Sequence, residues 1–135
     1  MKPLRRKPTD AELGILTVLW SRGPSTVRQI AEEMGRADGY TTILKLLQIM
    51  TEKRLVVRDE GARTHVYAAA YTQDQTQRQL VADLLERAFD GSAAKLVLQA
   101  LATGRTSAAD LAEIKKLLRG AAASAADDDK PGGSR

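Results

Sequence analysis

Apolar residues recur at helical spacing along most of this chain and shift to a tighter alternation in one place. Between Tyr40 and about Lys53, Ile43, Leu46, Leu47 and Met50 lie three, four and seven residues apart, on one face of a helix. Thr41, Thr42, Lys45, Gln48 and Glu52 fall on the other face. Just after it, Val56-Val57 and Thr64 to Tyr67 flank Asp59-Glu60-Gly61, the pattern of a short hairpin with a polar turn. Upstream, Thr9 and Glu12 have the spacing of a capping box, and Leu13, Leu16, Val18, Leu19 and Trp20 form the stripe of a first helix. Trp20 is read as core. Ser21-Arg22-Gly23-Pro24 stops that helix. Ser25 or Thr26 caps a second, in which Val27, Ile30, Ala31 and Met34 face inward and Gly35 is the stop. Arg36 to Gly39 is the turn before the third helix.

Beyond Tyr71 the pattern is purely helical. Thr72 caps a long helix to about Phe89, with Leu80, Val81, Leu84, Leu85, Ala88 and Phe89 on one side. Asp90-Gly91 breaks it. Ser92 caps a shorter helix with Leu96, Val97, Leu98 and Leu101, and Gly104 breaks again. Ser107 and Asp110 frame a last helix with Leu111, Ile114, Leu117 and Leu118. Gly120 to Arg135 is rich in small and acidic residues and is expected to be disordered. The pattern predicts a mainly α chain with a small β-wing: a basic arm over 1–8, a winged helix-turn-helix over 9–71, a helical region over 72–119, and a tail over 120–135.

Charge sharpens this division. Residues 1–71 hold 12 Lys or Arg against 8 Asp or Glu, and residues 72–135 hold 9 of each, so the whole net charge of +4 lies in the first part. That is the asymmetry expected when one part meets phosphates and the other meets protein. There is no cysteine, which excludes disulfides, thiolate metal sites and a cysteine nucleophile. The basic start is not followed by a long apolar run, so neither a secretory signal nor a membrane span is expected, and the expected location is cytoplasmic. A single histidine, His65, without cysteine partners makes no convincing metal site. No Gly-rich phosphate loop and no catalytic constellation is present, so no enzyme activity, cofactor or metal is expected.

The chemistry that remains is recognition of double-stranded DNA. A helix with small polar groups and a lysine near its exposed start fits the major groove, and a hairpin can lie over the neighbouring phosphates. The candidate DNA-binding residues are Arg28, Tyr40, Thr41, Thr42, Lys45, Arg58 and Arg63. Lys2, Arg5, Arg6 and Lys7 form a phosphate-contacting extension or a solubilising tail. Three short C-terminal helices bury little by themselves, so pairing with a second copy is the economical arrangement. The candidate dimerisation residues are Leu80, Leu84, Leu85, Phe89, Leu96, Val97, Leu101, Leu111, Ile114 and Leu118. A monomeric helical subdomain is the other arrangement.

Several runs carry a family likeness. Tyr40-Thr41-Thr42-Ile43-Leu44, Leu46-Leu47-Gln48, Glu52-Lys53 and Leu55-Val56 resemble the penicillinase-repressor family, as do Glu12-Leu13 through Val18-Leu19-Trp20, Thr26 to Ile30, and Leu96-Val97-Leu98 followed by Leu111 to Leu118. The likeness covers roughly residues 9–119. It implies a winged-helix head, a helical dimerisation region, and operator binding that blocks transcription. In the antibiotic-responsive members it also implies a membrane sensor protease and a cut at Asn-Phe, right after a Leu-Val-Leu run. Here Gln99-Ala100 occupies that position. The copper-responsive members carry a cysteine-rich metal tail, a mode of sensing that the absence of cysteine excludes. Two further departures concern the reading helix. Ile49 stands where the family often has Arg. Arg54 stands where it often has Gly, so a shared backbone would hold Arg54 at positive φ with modest strain.

The leading expectation is therefore a homodimeric repressor on a palindromic operator, with release by a sensor protease as one route of control. A winged helix that binds protein, and a ligand-sensing regulator, are the alternatives.

Overall fold

Thr9 opens the first helix in the computed structural model, which describes residues 7–35, 39–61 and 63–128. Its side chain accepts from the Glu12 N–H while the Glu12 carboxylate accepts from the Thr9 N–H, so two end donors are satisfied. Helix α1 (Asp10–Arg22) ends at Gly23, whose φ of 94° lets its N–H turn back to the Leu19 carbonyl. Thr26 and Gln29 repeat the capping box at α2 (Val27–Glu33). Each such cap is worth about 1 kcal/mol. Ser25 is not the cap. It exchanges two backbone hydrogen bonds with Tyr67 at 2.9 and 2.8 Å, adding a one-residue third strand to the wing.

Helix α3 (Tyr40–Glu52) turns Ile43, Leu47 and Met50 inward, all with no exposed surface. Ile15, Leu16 and Leu19 of α1 and Val27, Ile30 and Ala31 of α2 belong to the same core, with Leu55, Val56 and Tyr67. Ile15, absent from the expected stripe, is among the most buried residues. Trp20 is partly buried and donates from its indole nitrogen to the Tyr71 carbonyl at 3.0 Å. Strands β1 (Val56–Asp59) and β2 (Val66–Ala69) pair antiparallel, Val56 opposite Ala69 and Asp59 opposite Val66. The sequence pattern predicts a return strand from Thr64. It starts at Val66, opposite Asp59, whose carboxylate accepts from the Gly61 N–H.

Helix α4 (Gln73–Ala88) is opened by a Thr72–Gln75 capping box. The described residues form two compact units that divide between Glu86 and Arg87, within α4. The reason is tertiary. Thr76 is buried, and Lys7 reaches Asp83 at 3.0 Å, so most of α4 belongs to the winged unit. Of the arm over 1–8, residues 1–6 lie outside the described residues.

The second unit holds α5 (Ala93–Ala102), capped by Ser92, and α6 (Ala108–Asp128), opened by Ser107 and Asp110. Composition predicts disorder from Gly120. Instead α6 runs through it to Asp128. Ala121, Ala122, Ala123, Ala125 and Ala126 have the best intrinsic helix propensity, which offsets the roughly 1 kcal/mol cost of one glycine.

Candidate nucleic-acid interface

The reading helix is fixed at its C-terminal end. At its N-terminus Gly39 is the N-cap and offers no side-chain acceptor. At its C-terminus the Arg54 N–H bonds the Thr51 carbonyl, and the Leu55 N–H bonds the Met50 carbonyl at 2.9 Å. This is a Schellman closure, which needs a left-handed residue at Arg54 and brings apolar Leu55 onto Met50. Arg54 has φ 63°, in agreement with the backbone expected for a position that suits glycine. An L side chain there costs about 1–2 kcal/mol.

A buried ion pair fixes the same end. Lys53 Nζ lies 2.9 Å from both carboxylate oxygens of Glu12, and the Glu12 side chain is 2% exposed. One of those oxygens also accepts from the Thr9 N–H at 2.8 Å. Glu12 therefore both caps α1 and anchors the end of α3. Sequence reasoning found the cap and missed the anchor, because residues 41 apart carry no local spacing signal.

With its inner face and C-terminus fixed, α3 presents Tyr40, Thr41, Thr42, Lys45, Gln48, Ile49 and Glu52, all exposed. Lys45 has no ion-pair partner among the described residues. Arg28, the second residue of α2, is also exposed, and Arg36, Ala37 and Asp38 of the preceding turn lie outside the described residues. On the wing, Arg63 is exposed in the loop between β1 and β2. Arg58 is already engaged with Glu60 at 3.1 Å, and the same Glu60 oxygen lies 3.8 Å from His65 Nε2. An exposed pair of this kind contributes at most about 1 kcal/mol, so a phosphate can displace it. Beside the wing base is an open groove of about 540 Å³ lined by Thr51, Arg54, Val57, Arg58, Ala70 and Tyr71 among others.

The geometry is that of a helix-turn-helix whose exposed helix start is polar and basic, followed by a hairpin in which Arg58 and Arg63 are balanced by Asp59 and Glu60. The family model for the penicillinase repressor matches residues 8–120. The chain belongs to the penicillinase repressor family. Two relatives, each named transcriptional regulator BlaI, come from Mycobacterium tuberculosis strains CDC 1551/Oshkosh and ATCC 25618/H37Rv. Each is 36% identical over 92 residues, which cover 66% of this chain and 67% of theirs. As a member of the penicillinase repressor family, the chain is a DNA-binding transcriptional repressor.

The residues expected to pair two copies are α4 Leu80, Leu84 and Leu85, then Phe89, α5 Leu96, Val97 and Leu101, and α6 Leu111, Ile114 and Leu118. None of them is buried. Gln99 and Ala100, the expected cleavage position, are exposed within α5. Among the described residues no helix is long and apolar enough to cross a membrane, and no group of His, Cys, Asp or Glu could hold a metal ion.

Proposed function

We propose that this repressor binds a two-fold operator as a homodimer, with one α3 in the major groove of each half-site. The observation that carries this reading is the contrast between the two compact units, each taken by itself. The winged unit has a closed core and a polar, cationic reading face. The C-terminal helices carry exposed apolar side chains, with Leu98 65% and Leu117 68% exposed. Helices that bury so little do not repay their own ordering, and a second copy supplies the missing cover.

In this reading the Thr41 and Thr42 hydroxyls and the Lys45 ammonium meet base edges or adjoining phosphates, the ammonium being suited to guanine O6 and N7. Tyr40 lays its ring on sugar and its hydroxyl on phosphate. Arg28 contacts phosphate from α2, and Arg58 and Arg63 do so from the wing. The α4–α6 faces set the spacing between the two heads. Control by proteolysis between Gln99 and Ala100 requires α5 to unwind first, because a protease takes an extended strand. Pairing of copies through α5 then links release to cutting.

The test is a salt titration of the full chain on its own upstream DNA, with random DNA as competitor, combined with footprinting. Four cations per head give eight per dimer, so log affinity should fall against log salt with a slope of about −7 if all eight meet phosphates. A two-fold footprint is expected. Weak binding that ignores sequence and salt would overturn the operator reading and favour a protein partner for the winged unit.

A further inference from the structure

We propose that Ile49 is a specificity-determining residue that reads a thymine C5-methyl group. The inference rests on the operator reading above and names what one side of α3 recognises there.

Ile49 is out of place on its helix face. The core of α3 is supplied by Ile43, Leu47 and Met50, which are wholly buried, and the exposed face is otherwise built of Thr41, Thr42, Lys45, Gln48 and Glu52. Ile49 lies within that polar face and is 37% exposed. At about 100° per residue it lies about 20° from Thr42 and about 40° from Lys45 around the helix axis, and about 6 Å beyond Lys45 along it. It thus continues the row of the two residues best suited to the groove. Its branched aliphatic side chain has no donor or acceptor, so it contributes nothing to a phosphate or to a polar base edge. The apolar group that base edges offer in the major groove is the thymine methyl. A β-branched side chain in a helix is also nearly fixed in its χ1, so a methyl contact is made with little further loss of freedom.

The experiment uses the full chain and the operator half-site defined by footprinting. Each thymine of the half-site is replaced singly, in both halves, by deoxyuridine, which deletes the methyl and keeps every hydrogen-bonding group. One thymine position is expected to be sensitive, with affinity falling roughly fourfold per half-site, the value of one buried methyl-sized group. Ile49→Ala should bind the natural operator more weakly by a similar factor. It should lose sensitivity at that one position and keep the slope of affinity against salt, which Lys45→Ala should flatten. Alanine is the better helix former, so α3 is retained. The proposal is overturned if no thymine is sensitive, or if Ile49→Ala keeps the wild-type sensitivity. A footprint with neither effect leaves the operator reading standing and removes this one. The absence of any footprint removes both. Altered sedimentation of Ile49→Ala would assign the residue to a contact between copies and likewise overturn the methyl reading.

Discussion

Replacing Lys53 with methionine tests the anchor of the reading helix directly. The substitution keeps most of the side-chain volume and removes the ammonium. It leaves the Glu12 carboxylate, 2% exposed, with the Thr9 N–H still donating to it. Breaking a buried pair by deleting one partner costs about 3–5 kcal/mol, chiefly because the surviving charge stays buried. The Lys53 side chain is 15% exposed, so water can reach the vacated site, and the low end, about 3 kcal/mol, is expected. For a unit of this size, 1 kcal/mol corresponds to about 4–8 °C in Tm, so the midpoint should drop by about 12–24 °C. Trp20 is the only tryptophan and belongs to the winged unit, so its fluorescence during urea or thermal unfolding follows that unit alone. The decisive variant adds Glu12→Gln to Lys53→Met. The introduced amide oxygen would still accept from the Thr9 N–H but carry no charge, so the double variant should regain most of the lost stability. A loss below about 1 kcal/mol in the single variant would show that the pair behaves as an exposed one. Losses that simply add in the double variant would refute the charge argument altogether.

Other outcomes follow from the same geometry. Arg54→Gly should raise the stability of the winged unit by about 0.5–1 kcal/mol, because relief of the left-handed strain exceeds the added freedom of the unfolded chain. The midpoint of urea unfolding measures it, and an unchanged or lowered midpoint contradicts the strain. Lys45→Ala should weaken operator binding by about 1–3 kcal/mol if the ammonium reads a base, seen as a shifted titration with the fold intact. Leu84→Glu should place a charge in the apolar seam, give monomers by sedimentation, and abolish most affinity for the full site. A monomer that binds the full site tightly would end the dimer proposal.

Much of the interface is legible in the sequence because it rests on local rules. The capping boxes at Thr9, Thr26 and Ser107 are three-residue spacings, and each forms. The face of α3 follows from a period of about 3.6, and Thr41, Thr42 and Lys45 are exposed as that period requires. The positive φ at Arg54 follows from the family resemblance, in which glycine often occupies that position. Small and acidic residues suggest disorder, yet the alanine run extends α6 to Asp128.

The sequence by itself thus determined which residues form helices, where most of them start, and which face of α3 is offered to a ligand. These are properties of a few neighbouring residues, and hydrophobic period and end-capping decide them locally. Only the tertiary structure decided that Glu12 and Lys53 meet, that Ser25 joins the wing through Tyr67, and that α4 belongs mostly to the winged unit through Thr76 and Asp83. Such contacts join residues far apart in the chain. Their free energy comes from burial and pairing that exist only once the core has closed, so no short stretch of sequence carries their signature.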